Sequence, residues 1–469
     1  MPNSKKSALL LSLLLALRIG AADAPAPATP APAAPPTDWI DPDTGHRVVQ
    51  LSETPGSGTL TFHQNTYSPE GDKLIFNTPA GIAVVDVKAI GTPAGKMHLA
   101  VPDANAVAIA RRTREIYFTR GHQGPRPPVS SAESPVNPGA PPSSSPPGEG
   151  NRNGFTPPPA TPVFAAHLDT GAIREIPNAT SRNSTINADE TFAVATVVQV
   201  DPTGHTPKPP EHVFVPQIQR MFPGKKPEDL TPDQLYAAQK EDGLARRVFN
   251  PESMAFVFTN LKTGEKNTTG YQYAWLNHLQ FSPADPALLL YCHEGTWHEV
   301  DRVWTIRTDG SAQRLMHRRT MDLEIAGHEF WSHDGSMIWF DLQTPRSEQF
   351  WIAGVNIATG RETRYHLERD WWSVHYNVSW DGKLFAGDGG DPTQVAYAKD
   401  GMWINLFTPQ PDGTVAREKL VNMAKHNYVT GKHGVEPNLS ITPDNKWVIF
   451  TGNMFGVRHV YAVEIAKAK

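Results

Sequence analysis

The chain reads as an all-β protein, a seven-bladed β-propeller, and three observations predict it. One type of hairpin recurs seven times, and most copies are followed by a second strand pair. The repeat is interrupted only where an insertion is visible. A stray strand near the start matches a final unit that lacks one.

The first element is not part of the propeller. Lys5 and Lys6 precede the apolar run "ALLLSLLLAL", and Ala22-Asp23-Ala24 is a small-x-small cleavage signal, so residues 1–24 read as a secretory signal peptide. The run is short for a membrane span and nothing later is longer, so no span is expected after cleavage. Residues 25–37 are a Pro/Ala tether without core-forming side chains. The protein is expected in the periplasm or outside the cell.

Residues 38–469 carry the repeat. Its hairpin turns are anchored at Pro69 ("YSPEGDKLIF"), Arg111, Ala188 ("INADETFAVA"), Pro283, His333 ("GHEFWSHDGSMIWF"), Trp380 and Pro443 ("ITPDNKWVIF"). Spacings run from 42 to 63 residues except at two gaps. The first gap, 121–160, is a Pro/Ser/Gly loop without the composition for a core. The second, 201–247, contains "TPDQLYAAQKED", where Thr231-Pro232 starts a surface helix. The segment "TGHRVVQLS" at 44–52 is expected to complete the last blade and close the ring, which removes sheet edges.

Composition excludes several classes. The chain has 43 basic and 48 acidic side chains, a net charge of −5, and no basic stripe, so nucleic acid is not expected as a partner. Cys292 is the single cysteine, which rules out an internal disulfide or a cysteine-built metal site, and its apolar strand suits a buried, inert thiol. No G-x-S-x-G elbow or room for a hydrolase domain is present.

Five residues before each anchor stand Gln64, Ala106, Asn183, His278, His328, His375 and Asn438. The strand entering each hairpin is innermost in a propeller, so these positions converge on one channel mouth. Alternation along the strand aims Glu436 the same way. Histidine, carboxylate and amide oxygen suit a divalent cation such as Mn²⁺, Fe²⁺ or Zn²⁺. "KHGVEPNLS" offers His433, Glu436 and Asn438, with His375 on the adjacent blade. His278 and His293-Glu294 are candidates for a sugar subsite, as are Gln64 and His63. Trp275 and Trp371-Trp372 are candidates for ring stacking or for blade packing. Asp388 and Asp391 in "GDGGDP" read as turn residues.

"DPDTGHRVV", "CHEG", "EVDRVW", "GHEFW", "AGDGGD" and "SITPDNKWVIFTGN" together resemble the oligogalacturonate lyases, seven-bladed propeller enzymes of pectin breakdown. The resemblance runs from about residue 39 onward and is strongest over 275–455. It implies His328 as the catalytic base, Arg302 as the arginine for the substrate carboxylate, and His375 as a metal ligand. The family's other three ligands form Q-x-x-H-x-H around Mn²⁺. Those positions here are His433, Glu436 and Asn438, all different and all able to donate to a cation. The implied reaction is β-elimination on short acidic oligosaccharides. The alternatives are a lyase for another uronate-containing glycan and a non-catalytic propeller that binds glycan or protein.

Overall fold

The computed structural model describes residues 35–121, 160–180, 185–205, 213–391, 402–428 and 434–468. The leader, nearly all of the linker, the Pro-rich insertion and His433 lie outside them.

The described residues form seven antiparallel sheets. Blade 1 pairs Lys73–Thr78, Gly81–Asp86 and His98–Pro102, with isolated bridges from Gly58 and Tyr67 along its inner side. Blade 2 begins at Ala104–Ile109, blade 3 at Thr185–Ile186, blade 4 at Trp275–Phe281, blade 5 at Ile325–Trp331 and blade 6 at Tyr376–Val378; each has four strands. Blade 7 runs Ser440–Ile441, Trp447–Gly452, His459–Lys467, then back to His46–Gln50 and Asp38–Ile40. The closing strand pairs Val48 with Val463 and Val49 with Ala462, as the stray segment predicted. Asp38–Ile40 adds a fifth strand that the repeat did not foreshadow.

Five of the seven hairpin turns share one geometry. Gly71, Glu190, Gly335, Gly382 and Asn445, each two residues past its anchor, are left-handed, with φ from 56° to 71°. Each donates its N–H to the carbonyl three residues earlier. Glycine or asparagine suits this conformation, so "DGS", "DGK" and "DNK" set the turn.

The second strand of a blade is flanked on both faces by other blades, which is why it is buried on both sides and mostly apolar rather than alternating. All six residues of Trp447–Gly452 are buried, and six of the seven in Met337–Gln343. The core therefore lies between blades. Phe62, Phe330, Trp339, Phe350, Trp372 and Phe385 pack between blades 5 and 6, and Val48, Leu406, Ile441, Val448 and Phe450 between blades 6 and 7. Trp339 meets Phe385 edge-on at 4.8 Å, a geometry worth about 0.5–1.5 kcal/mol beyond the area buried. Gly354 makes room for that indole, which a Cβ would overlap.

The second insertion contains the helix Pro232–Phe249. Its Thr231 hydroxyl accepts from the Gln234 N–H, while the Gln234 side chain accepts from the Thr231 N–H, the reciprocal cap that the sequence signals. A shorter helix, Gln217–Met221, precedes it.

Val48 is fully buried in the closing strand. Val48→Asp should cost about 3–5 kcal/mol by leaving a charge unpaired in the core, whereas Val48→Ile should stay near wild type. Urea unfolding of the two variants checks this.

Candidate active site

The site grows from a backbone irregularity repeated on the inner strands. His278, His328 and Asn438 are left-handed, with φ of 51°, 47° and 47°. In blades 4 and 5 the ladder register slips there, between Asn277 and Gln280 and between Gly327 and Phe330. Such bulges re-aim a side chain, and histidine and asparagine tolerate the left-handed region better than most residues. This conformation suits the histidines of blades 4 and 5; His375 of blade 6 does not share it.

The imidazoles meet. The rings of His328 and His375 lie 4.7 Å apart, and His63 stacks on His278 at 5.8 Å. Phe62 fills the gap, stacked on His375 at 4.6 Å and edge-on to His328 at 5.8 Å. Its loop is held at both ends of the peptide. The Phe62 N–H donates to the Asn438 amide oxygen, and the Asn377 amide donates to the Phe62 carbonyl.

Each central histidine is oriented by buried acid. His328 Nδ1 lies 2.8 Å from Asp341, which is 2% exposed. A carboxylate there selects the tautomer with Nδ1–H and leaves the Nε2 lone pair free. His375 Nδ1 is 2.7 Å from Asp388, whose other oxygen takes the His375 N–H. Asp388 is therefore an anchor for His375 and not merely a turn residue, a correction to its sequence reading. Burial disfavours a charged His375, but Asp388, then Glu436 and Asp341, outweigh it and raise the pKa to about 9.

A pocket beside this cluster is lined by His278, Trp297, Arg302, Ile325, Gly327, His328, Asp341 and Gln343. Arg302 is 2% exposed, 3.1 Å from Glu294 and 3.8 Å from Glu329. His278 is clamped between the same two acids, at 2.9 Å from Glu329 and 3.8 Å from Glu294. Burial works against ionised Glu329, yet His278 and Arg302 hold its carboxyl well below the usual range. Arg302 thus enters the wall with its charge already balanced. The Cys292 thiol is buried against Arg302 and pushed up by desolvation, as an inert thiol should be.

Two groupings fit a cation by spacing. His278, Cys292 and Glu294 offer ligand atoms within 4.8 Å of one another, but the Arg302 guanidinium already occupies that cluster, 3.1 Å from Glu294 and 3.6 Å from Cys292. The better fit is His375 with Glu436. His375 Nε2 is 3.9 Å from the Glu436 carboxylate, a gap that two metal–ligand bonds of about 2.0–2.2 Å can span. The acid behind Nδ1 is the usual support of a ligating histidine.

Other expected residues fall elsewhere. His293 bonds Gln272 at 2.7 Å and stacks on Trp304, on the strand face opposite Cys292 and Glu294, so it does not line the pocket. The Gln64 amide oxygen accepts from Thr61 in its own turn. Asn438 secures Phe62, a role its reading as a ligand did not include. Trp372 is core, and Trp275 lies under Arg247 at 4.4 Å. Asp341, Glu329, Trp297 and Gln343 were missed. A signal existed for Asp341 and Asp388: each follows its histidine by 13 residues.

Fold and site define a seven-bladed propeller whose channel mouth gathers histidines backed by buried carboxylates. A family model described as oligogalacturonate lyase matches residues 244–468. An oligogalacturonide lyase of Pectobacterium atrosepticum is 28% identical over 225 residues, and an oligogalacturonate lyase of Dickeya dadantii 30% over 225. Each alignment covers 45% of this chain and 57% of the relative, so the chain spans little more than half the length of these proteins. The family-model match falls on the later blades and does not include the "DPDTGHRVV" segment. The fold likeness extends further. A solved oligogalacturonate lyase in complex with manganese has a TM-score of 0.61 at 18% identity, covering 92% of this chain and 96% of that one. The enzyme from Vibrio parahaemolyticus gives the same values.

In chelator-treated protein, NMR titration should find the His375 imidazole changing charge near pH 9. The raised value means this group's contribution to stability is complete below about pH 6.5 and is lost as pH rises through about 9. Asp388→Asn should move the titration down.

Proposed function

We propose that this chain is a metal-dependent lyase that cleaves short uronic-acid oligosaccharides by β-elimination. The observation that carries the reading is His328: its Nδ1 is tied to buried Asp341, and its ring stands beside His375. The family likeness over 244–468 supports it, since that range contains His328, Arg302 and His375.

His328 Nε2 is the base. It takes the C5 proton, the C5–H electrons form the C4–C5 double bond, and the C4–O4 bond breaks. O4 leaves with its electron pair and is protonated by water, giving a 4,5-unsaturated product. Asp341 keeps the tautomer in register and stabilises the imidazolium that forms. His375 and Glu436, with His433, would hold a divalent cation, Mn²⁺ foremost, which when bound neutralises the uronate carboxylate and stabilises the enolate-like charge. The acids around the mouth, Glu294, Glu329, Asp341, Asp388 and Glu436, outnumber Arg302, so an anionic sugar needs that added positive charge. Arg302 contributes hydrogen bonding from the wall rather than a free charge, because Glu294 and Glu329 already face it. His278 lines the same pocket and stays with its two acids. Removal of the leader and an exported location belong to the same reading.

The departures at residues 433, 436 and 438 from the family's ligands motivate a substrate panel that includes uronates other than galacturonate. Incubation with the panel should produce the ultraviolet absorbance of an unsaturated uronate, and chelator should suppress it. His328→Ala should lower the rate by about 10²–10⁴-fold with thermal unfolding unchanged. Product formation that survives in His328→Ala removes the base. If wild type is inactive on the whole panel but binds its members, the chain is a glycan-binding propeller.

A further inference from the structure

The inserted helix Pro232–Phe249 lies largely ahead of residue 244, where the family match begins. It is joined to two walls of the pocket. Glu241 pairs with Arg346 in the turn that follows Gln343, and the Ser347 N–H in that turn donates to the Gln343 side chain at 2.7 Å. Lys240 stands over the ring of pocket-lining Trp297 at 5.7 Å. Val248 abuts Gly295, where a Cβ would come within 2.6 Å of it.

Arg247, in the last turn of this helix, points its guanidinium onto Trp275 at 4.4 Å. Among the described residues it has no carboxylate oxygen within ion-pair distance, and its Nη1 is buried without a hydrogen-bond partner. Glu294, the acid whose charge acts on Arg247, is taken by Arg302 at 3.1 Å. Burial pulls the Arg247 pKa down, only partly offset by Glu294 and Cys292. Thr296 Oγ1, His298 Nδ1 and Gln343 Nε2, on the loop and turn that the helix touches, are likewise buried and unpartnered. A buried polar atom without a partner costs about 1–3 kcal/mol, more for a charged group. Unpartnered polar atoms on the elements that the helix touches, together with a cation that has no acid of its own, suit an anionic, hydroxyl-rich ligand.

We propose that Arg247 receives the carboxylate of the uronate residue next to the one that loses its proton, so that the inserted helix adds a second acid-recognising subsite beside the His328 pocket. This rests on the lyase reading. Arg247 is a specificity determinant here: it holds a part of the substrate that does not react, so its contact is the same before and during elimination.

The test is calorimetric binding of trigalacturonate to the His328→Ala protein, in which turnover is silenced. Adding Arg247→Gln should weaken binding about ten-fold or more, the scale of one charged hydrogen-bonding contact. Arg247→Lys should recover most of the loss, and Arg246→Gln, one residue away and paired with Asp242, should change nothing. In active protein Arg247→Gln should raise KM with kcat unchanged. Unaltered affinity in Arg247→Gln, with the parent binding normally, overturns the role of Arg247 and leaves the lyase reading intact. A parent that binds no uronate oligomer overturns the lyase reading and this subsite together.

Discussion

Everything at the channel mouth depends on the ring being closed by one short strand. His63 comes from blade 1, His278 from blade 4, His328 from blade 5 and His375 from blade 6. The core between blades 5 and 6 sets the last two side by side, and blade 1 is brought against the last blade because His46–Gln50 locks onto His459–Lys467. The closure is itself buried: Val48 belongs to the core between blades 6 and 7, and His46, fully buried, bonds the Glu464 carbonyl and lies beside Glu418. The loop carrying Phe62 follows directly and is secured to Asn438 of the last blade. The strand that closes the ring thus also delivers the side chain that separates and orients the imidazoles.

A second layer of order is electrostatic. Water would leave these histidines free to choose tautomers. Here Asp341 and Asp388 sit behind them, both buried, and each selects one ring nitrogen for display. The same device seats Arg302 and His278 between Glu294 and Glu329. Buried charges at this density are tolerable only because each has a partner, and that pairing gives the mouth a fixed geometry before any ligand arrives. The left-handed backbone at His278 and His328 serves the same end, since a regular strand would direct these side chains along the pleat.

Most of the architecture was legible because four of the seven blades announce their hairpins with the same local chemistry. An acid after the anchor and glycine or asparagine next to it specify a left-handed turn at a fixed place. The inserted helix was legible for a comparable reason, a reciprocal cap at Thr231 and Gln234. The histidine register was readable from spacing, but not the bulge that makes it effective. His293 was misread because it neighbours Glu294, although adjacent residues of a strand face opposite sides. Gln64 sits at the right register but in a turn tight enough to consume its own amide oxygen. The supporting acids were hidden because their partnership depends on how two strands align, and only the recurring interval of His328 to Asp341 and His375 to Asp388 gave it away.

The closing strand has a temporal consequence. His46–Gln50 leaves the ribosome long before His459–Lys467, the segment it must embrace. Until that last segment emerges, the growing polypeptide is an open arc with two raw edges and a dispersed set of imidazoles. Such distant pairing makes for slow maturation, and it means that the channel mouth is enclosed only once both ends of the chain have met.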